Sequence, residues 1–444
     1  MAARYDVVVI GGGFAGVTAA RDLRWRGYRV LILEARDRLG GRTWTAEFAG
    51  QPVEMGGTWV HWFQPHVWAE ITRYGLQIIE SPRADERRAW ITDGTLYHAP
   101  AQTFYPMLNE AIRRFCHDAH TVFERPHDPL FNQEAVAAID AQSVRDRLDT
   151  LDLPRETSDL LNGLWASACN APIAEAGLSV PLRWFALAGW DGLRMLDAEA
   201  RYKLVDGTRR LIEAMVADGQ PDILLSAPVA RVEQDGDGVS VVTRDGWTFA
   251  ARTVVVTAPL NTLRALEFRP ALSSGKQAAV AEGQASRGVK VWIRVRGEVP
   301  HFSGTAPDDY GLTSLHSEAH LPGATLLVGF GPAADRLDPS DREAVARAVR
   351  AFLPEAEVEE VGGHDWVADE FSRGTWPVYR PQQLTRHLRV LQQREGRVLL
   401  AGSEMANGWC DFIDGAIESG LTAARRVADL LDVDLTPQPP LRPQ

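Results

Sequence analysis

The stretch "YDVVVIGGGFAGVTAARDLRWRGYRVLILEARDRLGGRT", Tyr5 to Thr43, decides the fold. Asp6 to Ile10 is a continuous valine-rich apolar run, which suits a strand buried on both faces of a parallel sheet. Gly11, Gly13 and Gly16 follow in GxGxxG spacing, and a helical pattern runs from about Val17 to Arg26. Gly27 stops that helix, Arg29 to Leu33 reads as a second parallel strand, and Glu34 ends it. Each part has a physical task. Gly11 permits a tight strand-to-helix turn, Gly13 lets the backbone approach a pyrophosphate, and Gly16 lets helix and strand pack closely. The helix N-terminus offers free N–H groups to phosphates, and Glu34 stands where a carboxylate accepts hydrogen bonds from a ribose hydroxyl. The unit reads as a dinucleotide site. It occurs once in the chain, so one dinucleotide is expected.

The extension "LEARDRLGGRTWT" after the second strand narrows the choice. Arg36, Gly40, Gly41, Arg42 and Thr43 form a second phosphate-approaching loop, which a simple nicotinamide site does not require. Here the segment resembles the flavin amine oxidases, the monoamine and polyamine oxidase family. "EMGGTWVHW", Glu54 to Trp62, resembles that family's next flavin-contacting loop, with Gly56, Gly57, Thr58 and Trp59 at the matching positions. The likeness implies FAD, and it also puts Ala15, Ala35 and Val229 against the cofactor.

Further along, longer helical patterns run from about Glu80 to Arg201. "DGTRRLIEAMVADG" is then a glycine-started helix, and a β-rich run with DG turns after Gln234 and Arg244 leads into a buried strand at Val254 to Val256. From about Glu282 to Arg386 the pattern is mixed. "GRVLLAGSE" is a buried strand entering a small-residue loop, and "GLTAARRVADLL" is an amphipathic helix. The fold class expected is α/β, a Rossmann-like FAD-binding domain interleaved with an α+β substrate domain (the glutathione-reductase-2 type). The resemblance divides the chain into residues 1–80, 204–282 and 387–436 for the FAD domain and 81–203 and 283–386 for the substrate domain. A proline-rich, disordered tail is expected at 437–444.

Lys290 lies in "RGVKVWIRV", an apolar alternating strand that ordinarily excludes lysine. From pattern alone it either points to solvent or lies inward with a depressed pKa. The resemblance implies the second, with Lys290 holding a water near flavin N5 and assisting reoxidation of the flavin by oxygen. "DWVADEFSRGTWPVY" resembles the segment in front of the flavin ring: Trp366 packs on the flavin, Trp376 forms one wall of an aromatic cage, and Thr375 replaces the cysteine that bonds covalently to flavin in the mitochondrial enzymes. Non-covalent FAD is therefore expected. "AGSEMANGWCDFIDGAIESG", Ala401 to Gly420, resembles the closing flavin motif. It implies Gly402, Ser403 and Glu404 near the ribityl and phosphate chain, Ile413 opening the last helix, and Phe412 as the second cage wall. Asp411 and Asp414 read as first-turn or capping acids.

The remaining signals mostly exclude. A net charge of −12 argues against nucleic acid or an anionic membrane as partner. Three cysteines without CxxC spacing favour neither disulfides nor zinc. His61 and His66 have no third ligand at suitable spacing, so no metal is expected. No apolar run is long enough to cross a membrane, and with no signal peptide ahead of Tyr5 the expected location is cytoplasmic. A small-molecule amine, with O2 or a cytochrome-type electron acceptor, completes the partners, and a homodimer is one assembly the resemblance allows. Thr58 to Leu76, Cys116 to Phe131 and Pro259 to Gln277 look like the bacterial nicotine and pseudooxynicotine amine oxidases. Phe412 departs from the asparagine of the nicotine-oxidising members, so another aryl-alkyl or alkyl amine is at least as well supported as nicotine. The alternatives are an L-amino-acid oxidase, for which no carboxylate-gripping arginine can be assigned, and a carotenoid-type desaturase.

Overall fold

The valine run folds as Tyr5–Ile10, with Val7, Val8 and Val9 wholly buried. It lies between Val30–Leu33 and Thr248–Val256, parallel to both. This computed structural model describes residues 5–82 and 87–435, side chains of 433–435 excepted; the tail expected at 437–444 lies outside them. The eight-stranded sheet continues outward through Asp222–Leu224 on one side and Val239–Thr243, Val229–Gln234 and Glu267–Arg269 on the other, with Val398–Leu400 paired to Thr248–Val256. The first helix begins at Phe14 rather than Val17, because Gly11 at φ 104° completes the reversal in one residue and Gly13 already serves as N-cap. Gly16 has no room for a side chain, since a Cβ would stand 2.0 Å from the Gly11 carbonyl oxygen. The last helix, Ile413–Leu435, is longer than the amphipathic segment suggests and packs against the first.

A second sheet runs in the order Val358–Gly362, Val289–Arg296, Ala324–Gly331, Ser314–Leu321, Phe302–Thr305, Arg87–Thr92, Thr95–Ala99. Its last two strands correct the helical expectation after Glu80. They form a hairpin whose turn, Asp93 and Gly94 at φ 46° and 74°, takes the two left-handed positions that a DG pair favours. Four helices, Ala101–Phe115, Arg155–Cys169, Ser179–Leu187 and Gly192–Ala200, cover this region with a core around Phe115, Trp165 and Trp184. A small sheet joins Tyr202–Leu204 to Trp59–Val60 and Ile78–Glu80, straddling the boundary expected after Lys203. One cavity of about 750 Å³ opens between the carboxyl ends of the first sheet's parallel strands and one face of the second sheet. Open α/β sheets bind ligands at such strand ends.

Candidate active site

The cavity begins at the glycine turn. Gly11, Gly13, Phe14 and Ala15 line it, and the first helical hydrogen bond is donated only by Val17, to the Gly13 carbonyl. The amides of Phe14, Ala15 and Gly16 therefore lie ahead of the helix ladder, available to an anion. A Cβ on Gly13 would meet only the Gly40 and Gly41 backbone at 3.8–3.9 Å, so the space beside it is open. Gly16 itself is off the wall, as a packing glycine should be. Glu34 lines the cavity with both carboxylate oxygens already accepting backbone N–H bonds, from Gly12 at 2.6 Å and from Arg36 at 2.8 Å. Each oxygen keeps a second lone pair for a hydroxyl donor. Ala35 and Val229 lie beside it on the wall.

The second loop owes its shape to Arg38, which motif spacing does not single out. Its guanidinium donates to the carbonyls of Leu39, Gly41 and Thr43 at 3.0–3.2 Å, folding Gly40 to Thr43 around itself. Arg36 is held by Asp369 at 2.8 Å, and Arg42 by the Thr375 carbonyl at 2.9 Å. Glu404 does not line the cavity. It is fully buried, accepting from Leu260 N at 2.9 Å and Arg42 Nη2 at 3.3 Å, so it positions Arg42 where a role beside the ribityl chain was expected. Gly402, Ser403 and Ile413 remain on the wall.

Beyond this cradle the wall becomes aromatic. Gly56 and Gly57 stack under the Arg42–Thr43 backbone, and a Cβ on Gly56 would stand 2.0 Å from the Arg42 carbonyl oxygen. Lys290, 4 % exposed, points inward: its Nζ donates to the Gly56 carbonyl at 2.9 Å and to Thr58 Oγ1 at 2.7 Å. The rings of Trp59, Trp292 and Phe330 stand 5.3–5.7 Å from that nitrogen. Burial pushes its pKa down to about 7, opposed by Glu54 and assisted by Lys203. Trp366 is pinned by its indole N–H to the Met55 carbonyl and Trp376 by its own to Ala168, both at 2.9 Å. Trp376 and Phe412 are half-buried and both reach the cavity, but their rings do not touch. Trp376 packs on Phe330, and Phe412 packs edge-on against Trp184 and Trp409. Thr375 also lines the cavity.

Two acids on this wall carry no functional signal in the sequence. Glu199 ends the helix Gly192–Ala200, its Oε1 is buried without a partner, and burial raises its pKa to about 8. Its charge and that of Asp411 both raise the pKa of the buried Cys169 thiol, next to the residue that anchors Trp376. Asp411 caps no helix, contrary to expectation. It sits at φ 78° on the cavity wall with Oδ2 unpartnered, and burial raises its pKa to about 7 against the pull of buried Arg183. Asp414 does cap, though a different helix: its Oδ1 accepts from His66 N and Val67 N, the first turn of Pro65–Arg73. His66, Asp414 and Glu418 converge in space, but Glu418 is committed to the amides of Asn407 and Gly408. Arg88 is a further surprise: it lines the far end of the cavity, held by the Tyr105 hydroxyl, where no arginine could be assigned from sequence. Among the described residues no helix is long and apolar enough to cross a membrane.

Comparison with known proteins agrees with this geometry. The flavin containing amine oxidoreductase profile matches residues 14–428. The chain is 43 % identical over 433 residues to pseudooxynicotine dehydrogenase of Pseudomonas sp, spanning 96 % of this chain and 87 % of that one. It is 43 % identical over 431 residues to nicotine dehydrogenase of Pseudomonas putida, spanning 96 % and 89 %. Its fold superposes on a putrescine oxidase redesigned for cofactor binding with a TM-score of 0.84 at 21 % identity, over 96 % of this chain and 99 % of that one.

Proposed function

This chain belongs to the flavin containing amine oxidoreductase family, and on that premise we propose that it holds FAD non-covalently and oxidises a secondary or tertiary aryl-alkyl amine of the kind its nicotine-related relatives act on. The observation that carries this is the continuity of one cavity from the open backbone at Gly13 to the buried Lys290 and the Trp376 and Phe412 rings. The glycine cradle fits a pyrophosphate, Glu34 a ribose, and the 56–59 loop with Trp366 a flat ring system. When bound, FAD would supply the acceptor for a hydride equivalent from the amine's α-carbon, and the resulting iminium would be hydrolysed by water. Thr375 carries no thiol, so it forms no thioether to the cofactor.

Such transfer needs the amine lone pair, so the substrate must lose its ammonium proton first. In this reading the ionised form of Glu199, whose Oε1 is unpartnered on the cavity wall, takes it: the ammonium N–H bond breaks and the carboxylate oxygen gains the proton. A carboxyl group that titrates near 8 is matched to that exchange. Trp376 and Phe412 orient the amine, and the dry wall disfavours its charged form. Lys290, poised between charged and neutral near pH 7, would serve the return of electrons through the one N–H that its charged form keeps beyond those given to Gly56 and Thr58. Those electrons go to O2 or to a protein acceptor. Three free, buried cysteines fit a cytoplasmic protein. The test is a panel of amines added anaerobically to the yellow holoprotein. Bleaching by an aryl-alkyl amine is expected, and peroxide on admitting oxygen separates oxidase from dehydrogenase. Failure of every amine to bleach the flavin would sink the proposal.

A further inference from the structure

One face of the second sheet forms a wall of the cavity, and its register sorts that wall by polarity. Across the strands, one row reads Lys290, Phe330, Ser314, Thr305, Trp90, and the next reads Trp292, Val328, His316, Ser303, Arg88. Residues paired across a sheet project to the same side. Phe330 also packs edge-on against Trp376, so it separates the aromatic region from the rest of the wall. Beyond it the lining turns polar: Ser314, Thr305, His316, Ser303 and Arg88 all face the cavity. Strands stand about 4.8 Å apart, so His316 lies two spacings, roughly 10 Å, from the Lys290 strand.

Apart from the Arg88 guanidinium, which donates to the Tyr105 hydroxyl, the chemistry at this pole is that of uncharged hydrogen bonding. His316 Nδ1 meets Ser303 Oγ at 2.8 Å, and its other ring nitrogen has no partner among the described residues. Burial, with Arg88 nearby, lowers its pKa to about 4, so the imidazole is neutral at ordinary pH and offers either a donor or an acceptor. Ser314 Oγ is paired with Ser167 Oγ at 2.7 Å, tying the sheet to the helix Arg155–Cys169 opposite. That helix contributes Leu160 and Leu164 to the other side, an apolar surface suited to a ring or alkyl chain. Gly163 lets it come this close, since a Cβ there would stand 2.3 Å from the Ala306 carbonyl oxygen.

We propose that His316 and Ser303 form a distal substrate subsite for an uncharged hydrogen-bond-accepting group, such as a ring nitrogen or a carbonyl oxygen, held roughly 10 Å from the Lys290 strand. The subsite rests on the amine-oxidising function above and specifies its substrate: an elongated amine with a polar far end, rather than a plain aryl-alkyl or short alkyl amine. A buried imidazole left without its partner would lose a hydrogen bond, which is how a site rejects the analogue lacking that group.

The experiment uses two secondary amines of one shape, N-methyl-4-(pyridin-3-yl)butylamine and N-methyl-4-phenylbutylamine, with steady-state turnover of the holoenzyme on an artificial electron acceptor as readout and anaerobic flavin bleaching beside it. The expected kcat/KM ratio favours the pyridyl amine by about tenfold, the worth of one hydrogen bond. H316L and S303A should each bring that ratio toward one, mostly through KM. If H316L fails to fold, S303A, which removes a single hydroxyl, decides the matter. Equal kcat/KM for the two amines in the native enzyme would overturn the subsite and leave amine oxidation standing. A ratio unmoved in the foldable variants would overturn it equally, and no bleaching by either amine would overturn the subsite together with the function it rests on.

Discussion

Replacing Glu199 by Gln tests the cavity's electrostatics in a quantity independent of activity. In the unfolded chain this carboxyl titrates at its ordinary 4.5, whereas burial in the cavity raises it to about 8. Below pH 4.5 both states hold the proton and nothing is lost. From 4.5 upward the unfolded chain releases it while the folded protein keeps it, so folding stability falls with rising pH until about 8, where the folded carboxyl also ionises. At about 1.4 kcal/mol per pH unit, the native carboxyl costs the fold less than about 1 kcal/mol at pH 5 and about 3 kcal/mol at pH 7. Glutamine has nearly the same shape and does not titrate. E199Q should therefore gain on the parent between pH 5 and 8 by several kcal/mol, read from urea midpoints of the substrate-free holoprotein at each pH. Parallel stability curves for the two proteins would refute the burial argument. Activity should move in the opposite sense. With Glu199 as proton acceptor, kcat/KM rises through about pH 8; in E199Q the rise should shift up toward the amine's own ionisation.

Three further outcomes follow from the geometry. Lys290→Met should slow flavin reoxidation by oxygen far more than flavin reduction by amine, and equal slowing of both half-reactions in stopped flow would remove the lysine from that role. Gly16→Ala forces a Cβ to within 2.0 Å of the Gly11 carbonyl oxygen, so it should cost about 2–3 kcal/mol and release flavin on gel filtration, since overpacked cores lose energy of that order. Phe412→Asn changes the ring that packs on Trp184 and Trp409; it should shift the order of preference among amines while leaving flavin content intact, which a substrate panel with absorbance at the flavin maximum would show.

The first sheet was legible because its signals are local. A valine run, three glycines at fixed spacing and one acid specify strand, turn and helix without reference to the rest of the chain. The hairpin Arg87–Thr92 and Thr95–Ala99 is equally local, its DG turn lying in plain view, but the longer helical patterns downstream mask it. Glu199 was not legible at all: in "RMLDAEARYKL" it looks like any acid on a solvated helix face, and only the small sheet Tyr202–Leu204 with Trp59–Val60 brings that helix end to the cavity. His316 and Ser303 are ordinary polar strand residues until the register sets them opposite one another. Arg38 and Glu404 differ again, since they sit inside recognisable motifs. Their roles, folding one loop and fixing Arg42, depend on which way a side chain turns, and spacing does not encode that.

Four buried groups in or beside the cavity share one tendency, and it bears on why a protein of net charge −12 would handle a cationic amine in this way. Burial drives Lys290 down to about 7, Lys203 down to about 8, Glu199 up to about 8 and His316 down to about 4. Each shift favours the uncharged form of its group, so these four positions hold less fixed charge than the same side chains would in water. The acidic exterior attracts an ammonium ion, and the interior has little to keep it one. On the proposed function, an amine moving inward toward Trp376 and Phe412 would pass from a region that rewards its proton to one that rewards its lone pair. Glu199 lines that path, and its ionised fraction, which grows toward pH 8, can receive the proton without leaving a separated charge pair behind. Placing a permanent carboxylate at the same depth would instead stabilise the ammonium and hold the substrate in the form that cannot react.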